Sequence, residues 1–161
     1  MCKIVILVGL PGSGKSTWLA RRGINAISSD EIRRLIADDP TIQTIHRTVF
    51  RTVRFLIQRR LELQRAVTYV DATNLTPWER RAYIRLGELN DCDVEALFFD
   101  VPLEVCMRRN RLRERIVPED AMQTMAAKLV PPSTAEGFTA VTRIRLDHDE
   151  KMNSTHHDPV R

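Results

Sequence analysis

The residues between Gly9 and Thr17 have the types and spacing needed to bind a phosphate chain. They read Gly-Leu-Pro-Gly-Ser-Gly-Lys-Ser-Thr and fit the pattern G-x-x-x-x-G-K-[ST]. Glycines at these positions let consecutive backbone N–H groups converge on an anion. In this pattern Lys15 reaches the β- and γ-phosphates and the Ser16 hydroxyl binds Mg²⁺, so the sequence predicts a site for ATP and Mg²⁺. The predicted nucleotide-binding residues of the loop are Gly9, Pro11, Gly12, Ser13, Gly14, Lys15, Ser16 and Thr17.

The residues on either side of the loop predict the structure that it needs. Lys3–Val8 is a nearly continuous aliphatic run, typical of a strand buried on both faces. Residues 16–22 can continue as a helix, which Gly23 would end. A strand, a glycine-rich loop and a helix in this order are the setting in which the motif binds a nucleotide.

Two carboxylates follow further predicted strands. Residues 66–71 are apolar until they end on Asp71, the acidic strand end that lies beside Mg²⁺ in such sheets. Residues 24–27 form a shorter candidate strand, with Asp30 just after it. Because ligands bind at the carboxyl edge of an open α/β sheet, Asp30 is a candidate active-site group. Ser29 or Asp30 is equally suited to cap the next helix, and the two roles are compatible.

Arginines recur in two later segments. Residues 41–65 predict a long helix on which Arg47, Arg51 and Arg54 share one face. That face is either a solvated basic surface or a surface that follows phosphates, and His46 is interpreted as an ordinary surface histidine.

A second arginine-rich segment follows the helix predicted at 103–110. Five arginines lie within residues 108–115, just before Val117 and Pro118. This density favours a lid over about 108–118 that neutralises the charge of a transferring phosphoryl group, the alternative being a solvated face.

The remaining elements complete an α/β pattern. Thr76 and Pro77 predict the start of a helix that ends near Leu89. A strand at 93–100, a helix at 121–129, an extended linker at 131–134 and an edge strand at 138–146 follow. Five strands alternating with helices predict a three-layer P-loop NTPase fold with a mainly parallel five-stranded sheet and an arginine-bearing helical lid. We expect one domain over 1–146 and a polar, frayed tail over 147–161.

Composition limits the class of protein. The 161 residues are 43% hydrophobic and 29% charged, which is typical of one globular domain rather than disorder. The formal net charge of +4 suits polyanionic partners. No apolar run approaches the ~18 residues that span a membrane, and no export signal is evident. We therefore expect a cytoplasmic protein with Cys2, Cys92 and Cys106 as reduced thiols and no zinc site.

These motifs together resemble the kinase domain of phage and bacterial 5′-hydroxyl polynucleotide kinases, the kinase-phosphatase enzymes that repair nucleic-acid ends. The similarity extends over most of the chain to about Leu129. The matching segments are Gly9 to Trp18; Ser29-Asp30 with Arg33; Asp71-Ala72-Thr73-Asn74-Leu75 with Glu79-Arg80-Arg81; and Phe99-Asp100-Val101-Pro102 leading to Arg109-Asn110, Arg113 and Val117-Pro118.

The resemblance implies roles for individual residues. Asp30 corresponds to the general base for a 5′-hydroxyl, and Arg33 to the residue that grips the acceptor's neighbouring phosphate. Asp71 corresponds to a carboxylate that either orients Arg33 or lies in the second shell of the metal. Arg113 corresponds to the lid arginine, although the spacing leaves Arg113 and Arg115 both open. Arg109 or Arg115 would assist the lid arginine, and nucleotide contacts are expected from Arg109 and Asn110. Acceptor contacts are expected from Asn74 and, if the basic face of the long helix follows phosphates, from Arg47, Arg51 and Arg54.

The function expected from this resemblance is transfer of the γ-phosphoryl group of ATP to the 5′-hydroxyl of DNA or RNA. Alternatives are a small-molecule kinase acting on a sugar, nucleoside or antibiotic, a kinase of hydroxymethylated bases in DNA, and a non-transferring NTPase module. Asp147-His148-Asp149 stands about where a phosphatase motif begins in the bifunctional enzymes. Only twelve residues follow Asp149, so a kinase without a phosphatase is expected.

Overall fold

A parallel sheet of five strands forms the centre of the protein. The computed structural model describes residues 1–145. The strands are β1 (Lys3–Val8), β2 (Ile27–Ser28), β3 (Val67–Asp71), β4 (Asp93–Phe99) and β5 (Ala140–Ile144). They lie in the order β2-β3-β1-β4-β5, and every neighbouring pair is parallel. The predicted fold class and the edge position of the last strand are confirmed.

Helices cover both faces of this sheet. They are α1 (Lys15–Arg21), α2 (Ser29–Ala37), α3 (His46–Glu62), α4 (Pro77–Leu89), α5 (Leu103–Arg111) and α6 (Glu119–Lys128), with a 3₁₀ turn at Thr134–Glu136. Ile4, Ile6 and Val8 of β1 face the core formed with α2, α3 and α4. Leu7 faces the opposite side and packs with Leu19 of α1. Successive side chains of a strand point to opposite faces of the sheet. Because both faces of β1 are covered by helices, β1 has to be apolar throughout.

The strand order fixes where a ligand can bind. β1 lies between β3 and β4, so the connections that leave β1 and β3 depart in opposite directions across the sheet. A crevice opens at such a switch point, outside the carboxyl ends of the strands. The loop after Val8 and the carboxylate of Asp71 both lie at this edge.

The boundaries of β2 and α3 differ from those predicted. β2 covers Ile27–Ser28 rather than 24–27, because the Ile24 N–H still donates to Leu19 O and keeps that segment against α1. α3 begins at His46 rather than near Thr41, because Asp39 Oδ1 accepts bonds from both the N–H and the hydroxyl of Thr41 and forms a turn there.

The last strand and the linker before it also differ from prediction. β5 is limited to Ala140–Ile144, and the segment expected to be an extended linker leads into the 3₁₀ turn. The tail predicted over 147–161, including the Asp-His-Asp segment and the paired histidines 156 and 157, lies outside the described residues.

The cysteines and the membrane prediction can be compared with the described part of the chain. Cys2 and Cys92 are paired at the beginnings of β1 and β4, with Cα atoms 5.0 Å apart, so the prediction of separate reduced thiols is wrong for these two. Cys106 is free and buried. Within residues 1–145, none of the helices has the length and apolar character that a bilayer crossing requires.

One buried ion pair joins three segments behind the sheet edge. Arg80 of α4 is fully buried and donates to both carboxylate oxygens of Glu136, each at 2.9 Å. Its remaining nitrogen donates to the carbonyl oxygens of Asn74 and Val130. The same helix starts after Thr76, as predicted, and there Thr76 and Glu79 form a capping box.

We predict that Arg80→Ala lowers the free energy of unfolding by about 3–5 kcal/mol, because the substitution leaves the Glu136 carboxylate largely buried without its partner. Arg85→Ala, at an exposed position of the same helix, is the matched control and should change stability by less than about 0.5 kcal/mol. Urea unfolding followed by circular dichroism measures both, and equal effects would contradict the assigned role of the buried pair.

Candidate active site

The loop after β1 has the conformation of a phosphate-binding loop. Gly12 and Gly14 have φ values of +79° and +99°, which favour glycine. A Cβ on Gly12 would lie 2.5 Å from the carbonyl oxygen of Cys106 in α5, so no other residue fits there. The Ser13 hydroxyl is buried and has no hydrogen-bond partner among the described residues. An unpaired polar atom at this position fits a bound anion.

Lys15 is held within this loop. Its ammonium donates to the carbonyl oxygens of Gly9 and Leu10, both at 2.9 Å. Burial lowers the pKa of Lys15, and the charge of Asp71 opposes that shift. The side chain therefore lies at the loop with bonds that it can exchange for phosphate oxygens.

Ser16 and Asp71 supply oxygen ligands beside the loop. The Ser16 hydroxyl donates to Asp71 Oδ2 at 3.0 Å. Within the described residues there is no cluster of three His, Cys, Asp or Glu side chains that could hold a metal by itself. This pair fits Mg²⁺, which usually binds through one or two protein oxygens together with substrate phosphates and water.

Asp30 does not cap α2, a role that the sequence left open. The cap of α2 is Ser28, whose hydroxyl accepts from the Glu31 N–H at 3.2 Å. The Asp30 carboxylate, half exposed, instead pairs with Arg33 Nη1 at 3.6 Å and Arg115 Nη1 at 3.0 Å. It is thus held at the cleft by cations.

Arg33, beside Asp30, is an enclosed cation of the cleft. Its side chain is 7% exposed, and burial lowers its pKa. One terminal nitrogen faces Asp30, the other lies 3.2 Å from His46 Nδ1, and Nε has no partner among the described residues. No hydrogen bond or ion pair joins Asp71 to Arg33 within residues 1–145, so of the two roles left open for Asp71 the structure favours the one beside Ser16.

The lid closes over the loop through a pair of hydrogen bonds. Asn110, at the end of α5, is fully buried; its Nδ2 donates to Val117 O at 2.7 Å and its Oδ1 accepts from Val117 N–H at 3.0 Å. The chain between these residues is thereby closed into a loop over the cleft. Asn110 is therefore a structural residue of the lid and does not line the nucleotide site as the resemblance implied.

The lid arginines have different neighbours. Arg113 lies close enough to Lys15 for its charge to lower the pKa of that ammonium. Arg115 pairs with Asp30, its Nη1 3.0 Å from the carboxylate. Arg109 lies beside Gly14, its Nη1 3.4 Å from where a Cβ would be. Arg111 turns outward to Glu119. The sequence left Arg113 and Arg115 both open as the lid arginine. In the structure Arg113 lies near Lys15 and Arg115 pairs with Asp30, so the two arginines have different neighbours.

These groups line one cleft of about 1260 Å³. Of the predicted site residues, those lining it are Pro11, Gly12, Ser13, Gly14, Lys15, Ser16, Thr17, Asp30, Arg33, Asp71, Arg109 and Arg113. Gly9 lies behind the loop, where a Cβ would meet Ser13 Oγ and Phe99.

Four other predicted substrate or nucleotide residues lie elsewhere. Arg47, Arg51 and Arg54 are exposed on α3, outside the cleft lining. Asn74 is buried, and its amide donates to Leu7 O at 2.7 Å, so it connects β3 to β1 instead of contacting an acceptor. The sequence interpretation missed His46, which lines the cleft, because nothing in a single helix shows that another helix brings Arg33 against it.

A lysine-bearing loop at the switch point of a parallel sheet, with Asp71 beside Ser16, defines a P-loop nucleotide-binding domain. Comparison with protein families agrees. A family described as an AAA domain matches residues 4–132, and the chain belongs to this family.

Curated relatives are kinases at low identity. The chain is 27% identical over 165 residues to an L-seryl-tRNA(Sec) kinase of Methanococcus maripaludis, covering 93% of this chain and 63% of that protein. It is 26% identical over 160 residues to a bifunctional polynucleotide phosphatase/kinase of Schizosaccharomyces pombe, covering 94% of this chain and 36% of that protein. The chain thus spans less than two thirds of the length of either relative.

A solved structure shows the same fold. A sugar kinase from Janibacter sp. HTCC2649 superimposes with a TM-score of 0.63 at 20% identity, covering 91% of this chain and 87% of that one.

We predict that Asn110→Ala opens the lid, because both hydrogen bonds to Val117 are lost and a buried N–H and carbonyl are left unpaired. Limited trypsin digestion should then cut the lid, which contains Arg113 and Arg115, about tenfold faster than in the unsubstituted protein. Glu104→Ala, at an exposed position of α5, is the control. Equal cleavage rates in the two variants would contradict the closure by Asn110.

Proposed function

We propose that this chain transfers the γ-phosphoryl group of ATP to the 5′-hydroxyl of a nucleic-acid strand. The observation that carries the proposal is the pairing of Asp30 with Arg33 in the same cleft as Lys15. A half-exposed carboxylate beside a buried guanidinium suits an acceptor that has both a hydroxyl to be deprotonated and an anionic group nearby.

The residues take separate parts in this transfer. Asp30 accepts the proton of the attacking hydroxyl, and Arg33 binds the acceptor's adjacent phosphate. Lys15, Arg113 and Arg109 neutralise charge on the transferring phosphoryl and its neighbours. Ser16 and Asp71 would hold Mg²⁺, which would supply positive charge to neutralise the phosphate groups of the nucleotide. Positioning and charge neutralisation then account for the catalysis.

The relatives support a nucleic-acid acceptor. One is named for a polynucleotide and the other for a seryl-tRNA, and each covers more than nine tenths of this chain. The exposed Arg47, Arg51 and Arg54 of α3 would bind phosphates of the strand outside the cleft. A role in repair of strand ends and a cytoplasmic location belong to the same proposal.

A small-molecule acceptor is the second candidate. The sugar kinase structure, which matches most of this chain and most of its own length, favours a small-molecule acceptor. At 20% identity this similarity is one of fold. Hydroxymethylated bases in DNA are a variant of the first candidate. A non-transferring NTPase is less favoured, because Arg113 and Arg109 already supply cationic lid groups from the same chain.

Transfer from labelled ATP to a panel of acceptors tests the proposal. The panel contains a 5′-hydroxyl oligonucleotide of DNA, the same sequence as RNA, a nucleoside 3′-phosphate, the bare nucleoside, a sugar, a hydroxymethylated duplex and buffer alone. We expect label on the oligonucleotides and on the nucleoside 3′-phosphate. Transfer to the sugar or bare nucleoside alone would favour the second candidate, and label released only as inorganic phosphate would favour an NTPase.

We predict that Asp30→Ala lowers the rate of transfer by about 10²–10⁴-fold, the range for loss of a general base. Affinity for ATP should remain nearly unchanged, because Asp30 pairs with Arg33 and Arg115 and has no hydrogen bond or ion pair with the phosphate loop among the described residues. Glu31→Ala is the matched control, since Glu31 is the adjacent carboxylate and pairs with Arg34 outside the cleft lining. Rates come from labelled transfer and affinities from nucleotide titration. An equal loss of transfer and of ATP binding would contradict the assignment of Asp30.

A further inference from the structure

The guanidinium of Arg33 has a partner from another helix that the transfer mechanism does not use. His46 begins α3, and its Nδ1 lies 3.2 Å from Arg33 Nη2. The imidazole also lies against Phe50, one turn later, with ring centroids 4.7 Å apart. Both His46 and Phe50 line the cleft, as Arg33 does. The contact therefore belongs to the wall that an acceptor would meet.

The chemistry of the pair fixes the state of the histidine. A guanidinium only donates hydrogen bonds and stays charged, so the atom facing it has to be an acceptor. His46 Nδ1 can accept only when it carries no proton. The contact thus requires a neutral imidazole with its proton on Nε2, because protonated His46 would present an N–H to the Arg33 N–H.

The groups around His46 favour that neutral state. Arg33 faces it from α2, with Asp30 beside Arg33 and Arg115 approaching from the lid. Glu79 of α4 is the carboxylate whose charge acts in the opposite direction. Burial, followed by the charge of Arg33, lowers the pKa of His46 from its ordinary value of 6.5.

The position of Arg33 depends on such outside contacts. Its pairing with Asp30 is long, at 3.6 Å, and its Nε has no partner among the described residues. Its distance from the Phe50 ring centroid is 5.9 Å, so this contact alone does not set its rotation. The bond to His46 is the shorter of the two polar contacts that hold the guanidinium.

We infer that His46 is a positioning residue: as the neutral Nε2–H tautomer it holds Arg33 for an anionic acceptor, so that acceptor binding weakens when His46 is protonated. This inference rests on the proposed function for the acceptor and on the geometry for the contact. It makes acceptor affinity, and not ATP affinity, the quantity that depends on His46.

The direction of the pH effect follows from the lowered pKa. When the pH is above the pKa of His46, the imidazole is neutral and accepts a hydrogen bond from Arg33. As the pH falls through this pKa, a proton occupies Nδ1, and the two cations, His46 and Arg33, repel each other. The Michaelis constant for the acceptor should therefore be low and constant above pH ~7 and rise as pH falls toward ~5.5.

Two substitutions separate the acceptor role of His46 from its packing. His46→Leu retains apolar contact with Phe50 but has no hydrogen-bond acceptor. His46→Asn provides an amide oxygen near the place of Nδ1 and cannot titrate. Thr48→Ala, at an exposed position of α3 outside the cleft lining, is the control. A 5′-hydroxyl oligonucleotide joined only by phosphodiesters serves as acceptor, because its own charge does not change in this pH range.

We predict that His46→Leu raises the Michaelis constant for the oligonucleotide by about tenfold at pH 7.5, the loss expected for one hydrogen bond to a charged group. The Michaelis constant for ATP should change less than twofold. His46→Asn should restore most of the acceptor affinity and remove its decline between pH ~7 and ~5.5. An unchanged acceptor constant in His46→Leu, equal effects on both substrates, or a decline retained in His46→Asn would each overturn the inference.

A measurement without acceptor separates this inference from the proposed function. Nitrogen chemical shifts of His46 in the full chain report its tautomer and pKa directly. We expect the Nε2–H form and a pKa that rises in Arg33→Met, because the adjacent positive charge is removed. If the enzyme transfers to no oligonucleotide, the acceptor part of both proposals is wrong. An Nδ1–H tautomer or an unchanged pKa would overturn the contact itself, even in an active kinase.

Discussion

An excess of positive charge in one half-enclosed cleft is the constraint on which this structure depends. Lys15, Arg33, Arg109 and Arg113 line the same space, and the carboxylates of Asp30 and Asp71 oppose them. Burial lowers the pKa of both Lys15 and Arg33, which shows that the charged form of each is costly where it lies. A polyanion entering the cleft would relieve that cost, so the electrostatics select the class of ligand before any specific contact does.

The protein keeps these cations in place with polar atoms of its own. Lys15 is held by two carbonyl oxygens of the loop, and Arg33 lies between a carboxylate and an imidazole. Arg115 joins the lid to Asp30. These contacts place the cations in the cleft before any ligand binds, and the two bonds of Lys15 can be exchanged for phosphate oxygens.

Contacts in the surrounding scaffold hold the phosphate loop, the lid and α4 in place. Asn110 closes the lid on itself, and Gly12 lies so near the Cys106 carbonyl that the phosphate loop packs directly on the lid helix α5. On the other side, the buried pair of Arg80 and Glu136 connects α4 to the segment before β5. These contacts are remote from the proposed chemistry, yet they determine whether Lys15 and Asp30 face the same space.

Local patterns in the sequence determined the parts of this protein whose physics is local. The phosphate loop, the buried β1 and the capping box of Thr76 follow from neighbouring residue types, because backbone conformation and hydrophobic period act over a few positions. The boundaries of β2 and α3 did not follow, since a bond from Ile24 to Leu19 and a turn at Asp39 override propensity there. Only the tertiary structure decided which arginine faces which group, that Asn74 and Asn110 bind the protein itself, and that His46 meets Arg33 across two helices. Those outcomes depend on distances between segments far apart in the chain, and no residue pattern within a segment encodes them.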